Sequence, residues 1–433
     1  MSWNEEFECM PVEEIEKFQA RKLKETVARA QERIPFYQKK FKEAGVSPDD
    51  IKNIQDIGRF PLTEKNDLRD NYPFDLCAVP MKELVRIHAS SGTTGKPVTG
   101  PYTAADLNQW TECMARNFWA AGVRQDDIVQ NAYGYGLFTG GLGFHQGASR
   151  IGSTVVPTSS GMTERQITLM QDFKSTVLCS TPSYALTIAE KADDMGVDIR
   201  KLPLRVGIFG AEPWTIGMRN EIERRMGIVA MEAFGLTELG GPGLAFDCEK
   251  QDGLHINEDH FLAEVVDPKT FKPVPLGEKG ELIFTSLQRQ AMPMIRYRTK
   301  DITSLRREEC ECGRTLLKME KIYGRTDDML IISGVNVFPS QIESLLLQIP
   351  EVEPQYVLVV RKKGYLDHLT VRVEAKHEIY NEGPAKEAEV EAKIADYIKS
   401  NIGISVRVKL VEPKLIARSE GKAQRIIDER PKE

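Results

Sequence analysis

The sequence predicts an α/β protein in two parts: a large body built on a mainly parallel sheet with an appended β unit, and a small α+β module behind it. Three observations carry this. From about residue 125, short apolar runs such as STVVP (153–157), STVLCS (175–180) and LRVGIFG (204–210) are bounded by Gly, Pro or Ser. Polar, helix-compatible stretches at 162–173 and 183–195 lie between them, and strands alternating with helices of this length form βαβ units. From about residue 258 the texture changes to strand-like HFLAEVVD, GELIFTSL and MPMIRYRTKDIT, joined by the turn-rich PKTFKPVPLGEKG, which reads as a mostly antiparallel addition. Beyond YGRTDDMLIISG (323–334) a compact module begins, with the boundary at GRTDD.

The remaining elements follow in order. Residues 12–44 are rich in Glu, Lys and Ala with no Gly before Gly45, and predict helix. In the C-terminal module, PSQIESLLLQI sets Ile342, Leu345, Leu346 and Ile349 at helical spacing, with Ser340 and Glu343 placed as a capping box. QYVLVVR and HLTVRVEA read as strands, 385–400 as a charged helix, and SVRVKLV as a last strand. There is no repeat period.

Composition narrows the classes. A net charge of −6 with no long basic block argues against a nucleic-acid partner. No apolar run approaches the roughly 20 residues that span a bilayer, and the acidic start MSWNEEFECM has no charged-then-apolar leader. No membrane association and a cytoplasmic location are expected. Seven cysteines, an odd number, do not suit a disulfide framework.

Two stretches carry chemistry. HASSGTTGKPVTGPYT (88–103) combines the hydroxyls of Ser91, Thr93 and Thr94 with Gly92, Gly95 and Lys96. It is not a Walker A loop, because Ser90 stands where that motif has Gly and Pro97 follows the Lys. It is either a polar linker or a backbone cradle in which N–H groups and hydroxyls converge on phosphate oxygens. FDCEKQDGLHINEDH and REECECGRT supply Cys248, His255, Cys310 and Cys312, three thiolates and an imidazole that make a closed tetrahedral set for structural Zn²⁺. His260 competes with His255 for the fourth position.

Downstream of the loop come FGAEPW (209–214), EAFGLTELGG (232–241), RYRTKD (296–301), YGRTDDMLIISGVNVFP (323–339) and ARSEGKAQR (417–425). In this order they resemble the adenylate-forming acyl/aryl-CoA synthetase superfamily. PLTEKNDLRDNYPF (61–74), AYGYGLFTGGLG (132–143), SGVNVFPSQIE and RSEGKAQRIID resemble, within it, the phenylacetate–coenzyme A ligase family. The resemblance implies a large N-terminal domain of mixed sheets, residues 1–324, and a small mobile α+β domain, residues 325–433. It also implies a reaction in two halves: ATP converts a carboxylate to acyl-AMP with loss of pyrophosphate, and the coenzyme A thiol then displaces AMP. A homodimer is implied by the family alone.

The site residues follow from the resemblance. Ser91 to Lys96 embrace the β,γ-phosphates, and Thr237 and Glu238 match the positions for the α-phosphate and Mg²⁺. Phe234 stacks on the purine beside Gly235, Glu232 accepts from its amine, and Glu212 and Pro213 line the other side. Asp301 takes the ribose hydroxyls with Arg325 as a nearby donor. Lys422 is the mobile catalytic lysine of the adenylation half, Asp327 matches the hinge, and the segment around Gly334 admits the thiol. Tyr133, Phe138 and Phe144, with Ala211, Ala233 and Pro242, wall the pocket for an aromatic carboxylic acid, since aromatic walls suit a flat arylacetate. Two alternatives stay open: adenylation of another aromatic acid or a phenolic cofactor hydroxyl without thioester formation, and a nucleotide sensor without catalysis.

Overall fold

The computed structural model describes residues 2–90, 97–332, 335–363 and 366–430. The chain divides into two compact units: residues 1–180, 200–211 and 228–321, and residues 181–199, 212–227 and 322–433.

The first unit is organised by a nine-stranded sheet. Thr154–Val156, Ile128–Asn131, Val177–Ser180, Val206–Gly210 and Val229–Leu236 run parallel, as the alternating pattern predicts. Beyond them the sheet changes sense, with Gly241–Phe246, Leu254–Ile256, Lys318–Met319 and Leu305–Arg306 added antiparallel. The sequence pattern does not foresee this extension, because these strands are short and two of them come from the segment after residue 300. The reversal is made by Gly240 and Gly241, at φ of 116° and 104°, where a side chain would be strained. A second, antiparallel sheet contains Phe261–Val266, Gly280–Ser286 and Tyr297–Thr303, the expected β addition.

Helix Ala104–Ala120 covers the parallel sheet, burying Trp110, Met114 and Phe118 against Val129, Val177, Val206 and Ile208. Removal of this apolar surface from water, at roughly 25 cal/mol per Å², is the main force holding helix to sheet. Helix Gly140–Arg150 packs close beside it, since a Cβ on Gly147 would stand 2.5 Å from Met114 Cβ. The predicted helix over 12–44 is two helices, Val12–Arg33 and Pro35–Ala44. Ile34, which precedes proline, is extended at φ −120° and ψ 107°, because the proline ring excludes the helical region there.

The second unit holds helices Pro182–Asp194 and Ile216–Met226 and a four-stranded sheet ordered Arg407–Val411, Leu366–Ala375, Val352–Lys363, Ile426–Asp428. Helices Pro339–Leu346 and Pro384–Ile402 close its core, which contains Ile342, Leu346, Leu358, Val371, Ile394 and Ile398. The expected Ser340/Glu343 capping box does not form. Pro339 opens the helix, Phe338 N–H donates to Gln341 Oε1 at 2.9 Å, and Ser340 donates to the Tyr323 carbonyl at 2.6 Å. Glu343 is buried and accepts from Thr215 and Tyr356. Among the described residues, no helix is long and apolar enough to cross a membrane.

Candidate active site

Open α/β sheets bind ligands at the carboxyl ends of their strands. In the first unit those ends lead into the loop after Asn131, the turn at Ala211 and the turn Thr237–Leu239. Ala211 is held at φ 72°, a left-handed conformation rare for a residue with a Cβ, so the chain leaves Gly210 sharply.

Ser91, Gly92, Thr93, Thr94, Gly95 and Lys96 lie outside the described residues, as does Gly334. The neck of the 91–96 loop is described, and it is tied closed. Ser90 N–H donates to the Val98 carbonyl, and Val98 N–H donates to Ser90 Oγ, each at 2.9 Å. The Leu137 carbonyl accepts from Ala89 N–H at 3.0 Å and lies 3.0 Å from His88 Nδ1, which pins the neck to the aromatic loop. On the other side, buried Arg289 donates to the Glu238 carbonyl at 2.7 Å and to that of Pro101 at 3.3 Å. Three segments distant in sequence therefore meet: the Ser/Thr/Gly loop's neck, the aromatic loop and the Thr237–Glu238 turn.

Glu238 is buried, with its carboxylate 3.5 Å from the Lys65 ammonium. Glu232 is buried too, 3.6 Å from the Lys321 ammonium, and its N–H donates to Asp247 Oδ2 at 3.0 Å. Phe234 is half-buried and stacks at 6.3 Å on Phe284, and Gly235 follows it, where a Cβ would collide with the Gly241 carbonyl. Asp301 is buried in strand Tyr297–Thr303 at a bulge, because Ile283 pairs with Arg298 but Glu281 pairs with Ile302. The surplus residues are absorbed with Lys300 at φ 68°, and bulges of this kind re-aim side chains beside functional sites.

The expected aromatic wall is only partly built as a unit. Tyr133 and Phe144 are buried and stacked, with centroids 4.5 Å apart and planes at 19°. Ala233 shares their core cluster, and Pro242 accepts a hydrogen bond from Trp110 Nε1 at 2.9 Å. Phe138, by contrast, is 53% exposed, and Ala211 is exposed as well. Sequence reasoning missed Lys65, Arg289 and Lys321, whose signal was a cation lying in or beside a quoted motif.

In the second unit, Glu212 faces backbone donors: Oε1 accepts from Ser183 N–H at 2.8 Å and Oε2 from Ala423 N–H at 2.9 Å. Burial pushes its carboxyl pKa up, and those hydrogen bonds oppose the shift. Pro213 is exposed. Arg325 pairs with Asp327, at 3.1 and 3.2 Å. Lys422 lies in a turn shaped by Ser419, which donates to the Lys422 carbonyl at 2.8 Å and accepts from Gly421 N–H at 3.1 Å.

The cysteine cluster is compact. The ligand atoms of Cys248, His255, Cys310 and Cys312 all lie within 4.8 Å of one another. Cys248 and Cys310 sulfurs are 3.7 Å apart, and Cys312 Sγ is 3.4 Å from His255 Nε2. Thiolates about 2.3 Å from a tetrahedral zinc stand near that spacing. Hydrogen bonding to Cys248 and then to His255 favours the Cys312 thiolate, and His255 favours that of Cys310.

His260 is not in this cluster. Its Nδ1 lies 3.1 Å from Gln288 Nε2, and its Nε2 is 3.3 Å from Asp259, which Arg116 clamps at 2.7 and 2.9 Å. Burial lowers its pKa to about 4, so it stays neutral in the fold while the unfolded chain takes a proton near pH 6.5. Stability falls as pH drops from about 6.5 toward 4, by about 1.4 kcal/mol per pH unit at most. His260→Gln is expected to flatten that part of the urea-midpoint profile, and an unchanged slope contradicts the assignment.

Residues 11–292 match the family described as AMP-binding enzyme, and residues 334–430 match the AMP-binding enzyme C-terminal domain. A phenylacetate-coenzyme A ligase of Thermus thermophilus is 48% identical, covering 99% of this chain and 99% of its own. Its Escherichia coli counterpart is 49% identical over 97% of this chain and 96% of its own. A 2-hydroxyisobutyryl-CoA ligase, crystallised in the postadenylation state, superposes with a TM-score of 0.93 at 30% identity, over 98% of this chain and 91% of that one. With these likenesses spanning both units and every motif, the chain belongs to the phenylacetate-coenzyme A ligase family of AMP-binding, adenylate-forming enzymes.

Proposed function

We propose that this protein ligates phenylacetate, or a close aromatic analogue, to coenzyme A through an acyl-adenylate, releasing AMP and pyrophosphate. The observation that carries the reading is the meeting of the phosphate-loop neck, the Thr237–Glu238 turn and the aromatic loop in one unit. A carboxylate is a poor electrophile, and adenylation makes it a good one by attaching AMP as a leaving group. In-line attack on the α-phosphorus requires neutralised phosphates and a positioned carboxylate.

In this reading Ser91 to Lys96 hold the β,γ-phosphates, Thr237 the α-phosphate, and Phe234, Gly235, Glu232, Glu212 and Pro213 the adenine. Asp301 and Arg325 take the ribose, and Lys422 balances charge between α-phosphate and carboxylate. Mg²⁺ suits Glu238, because the half-exposed Lys65 now beside this buried carboxylate can swing away. Bound there, it supplies charge neutralisation at the phosphates. Tyr133 and Phe144 offer a flat apolar wall, with Phe138, Ala211, Ala233 and Pro242 as its further members. Residues 325–433 act as the mobile domain about Asp327.

Structural Zn²⁺ belongs at Cys248, His255, Cys310 and Cys312, supported by a donor set of three thiols and one imidazole. A reduced thiol cluster and the use of ATP and coenzyme A favour a cytoplasmic location.

ATP–pyrophosphate exchange across phenylacetate, hydroxyphenylacetate, indoleacetate, benzoate and short fatty acids tests the substrate class. Exchange fastest with an arylacetate is expected. Exchange confined to benzoate or fatty acids contradicts the reading.

A further inference from the structure

We propose that Thr181, Glu190 and Glu212 form a docking cradle for the turn bearing Lys422, and so act as positioning residues for adenylation. The proposal rests on the reading of Lys422 as the adenylation lysine. All of these residues lie in the second compact unit.

The residues on either side of Lys422 are each fastened. Thr181 Oγ donates to the Gly421 carbonyl at 2.8 Å, and Ala423 N–H donates to Glu212 Oε2 at 2.9 Å. Glu212 also accepts from Ser183 N–H, so one carboxylate bridges the first turn of helix Pro182–Asp194 and the lysine turn. Further back, the Arg418 guanidinium donates to both oxygens of Glu190, at 2.6 and 2.7 Å, on the same helix. Lys414 closes the series on Asp194 at 2.6 Å.

A lysine side chain has many rotamers and cannot aim itself; fixing the backbone on both sides of it supplies much of the needed orientation. The burial of the contacts separates permanent from releasable ones. Arg418 also binds Glu374, whose side chain is fully buried and which accepts from Lys414 and Ile416 N–H, so this pair belongs to the C-terminal module's own structure. The Glu190 side chain is 20% exposed, so water can resolvate it when the pair opens. A guanidinium–carboxylate fork of this kind gives orientation as well as attraction. Of the cradle's contacts, the Arg418–Glu190 pair is thus the one placed to open between half-reactions, while Thr181 is buried where it holds the Gly421 carbonyl.

The test uses the full-length enzyme with Thr181→Val, Glu190→Gln, the double variant, Thr181→Ser and Lys422→Ala. ATP–pyrophosphate exchange reports adenylation, and thioester formation from supplied phenylacetyl-adenylate reports the second half and serves as the folding control. T181V and E190Q are each expected to slow exchange about 5–10-fold, T181V also removing the cap that Thr181 Oγ gives Tyr184 N–H, with the thioester step unchanged and T181S, which keeps both hydroxyl contacts, near wild type. Wild-type exchange in the double variant, or equal loss in both half-reactions, overturns the cradle while K422A still slows exchange about 10²–10³-fold. Undiminished exchange in K422A overturns the lysine reading itself, and the cradle with it.

Discussion

Lys422→Ala is expected to slow acyl-adenylate formation about 10²–10³-fold, the usual loss when one preorganised charge or donor is removed from a developing anion. Thioester formation from supplied adenylate should stay within about twofold of wild type, because an interaction made in one transition state lowers only that step. The physical reason lies in the charge flow. Adenylation gathers the substrate carboxylate and the phosphate oxygens in one place, and a point cation with three donors suits that arrangement. The second half begins from a mixed anhydride already formed and needs only a thiol and a leaving AMP. Ser419, which donates to the Lys422 carbonyl and accepts from Gly421 N–H, gives the lysine a preformed turn. Pyrophosphate exchange and single-turnover thioester formation measure the two halves separately, and parallel loss in both contradicts the assignment.

Breaking the cysteine cluster is the second large effect. Cys310→Ser is expected to reduce bound zinc from about one ion per chain to none and to lower stability by several kcal/mol. Cys248 and Cys310 are 62 positions apart, and cross-linking a loop of that length contributes roughly 3–5 kcal/mol by chain entropy. The ion would tie the 307–317 segment to the antiparallel end of the nine-stranded sheet, where Leu254–Ile256 pairs with Lys318–Met319. His260→Gln should leave zinc content unchanged, since His260 is engaged by Gln288 and Asp259. Metal analysis and urea midpoints check both. Full zinc in C310S, or zinc lost in H260Q, contradicts the site.

The parallel strands were legible because apolar runs between Gly, Pro and Ser have few other fates. The antiparallel strands beyond Phe246 were not, since two- and three-residue strands such as Leu305–Arg306 carry no period to detect. The helix break at Pro35 was visible as a residue but lost in a strongly helical composition. For the site, motif order singled out Glu238, Glu232 and Asp301, which fall in the turn Thr237–Leu239 and the strands Val229–Leu236 and Tyr297–Thr303, yet it could not show that Lys65 and Lys321 pair with the two glutamates. Such pairings depend on which distant segments the sheet brings together. Glu212 stands in a motif that points to a nucleotide contact, and no sequence spacing reveals its hydrogen bonds to Ser183 and Ala423, residues 29 and 211 positions away.

The central claim is that a carboxylate oxygen attacks the α-phosphorus of ATP. Turnover of phenylacetate labelled with ¹⁸O in its carboxylate, with ATP and coenzyme A, tests it most directly. Attack at the α-phosphorus leaves the bridging oxygen on phosphorus when the thiol displaces AMP, so mass spectrometry should find one labelled oxygen in AMP and none in pyrophosphate, alongside phenylacetyl-CoA. Label in inorganic phosphate with ADP as product would mean an acyl-phosphate route, and would contradict the account.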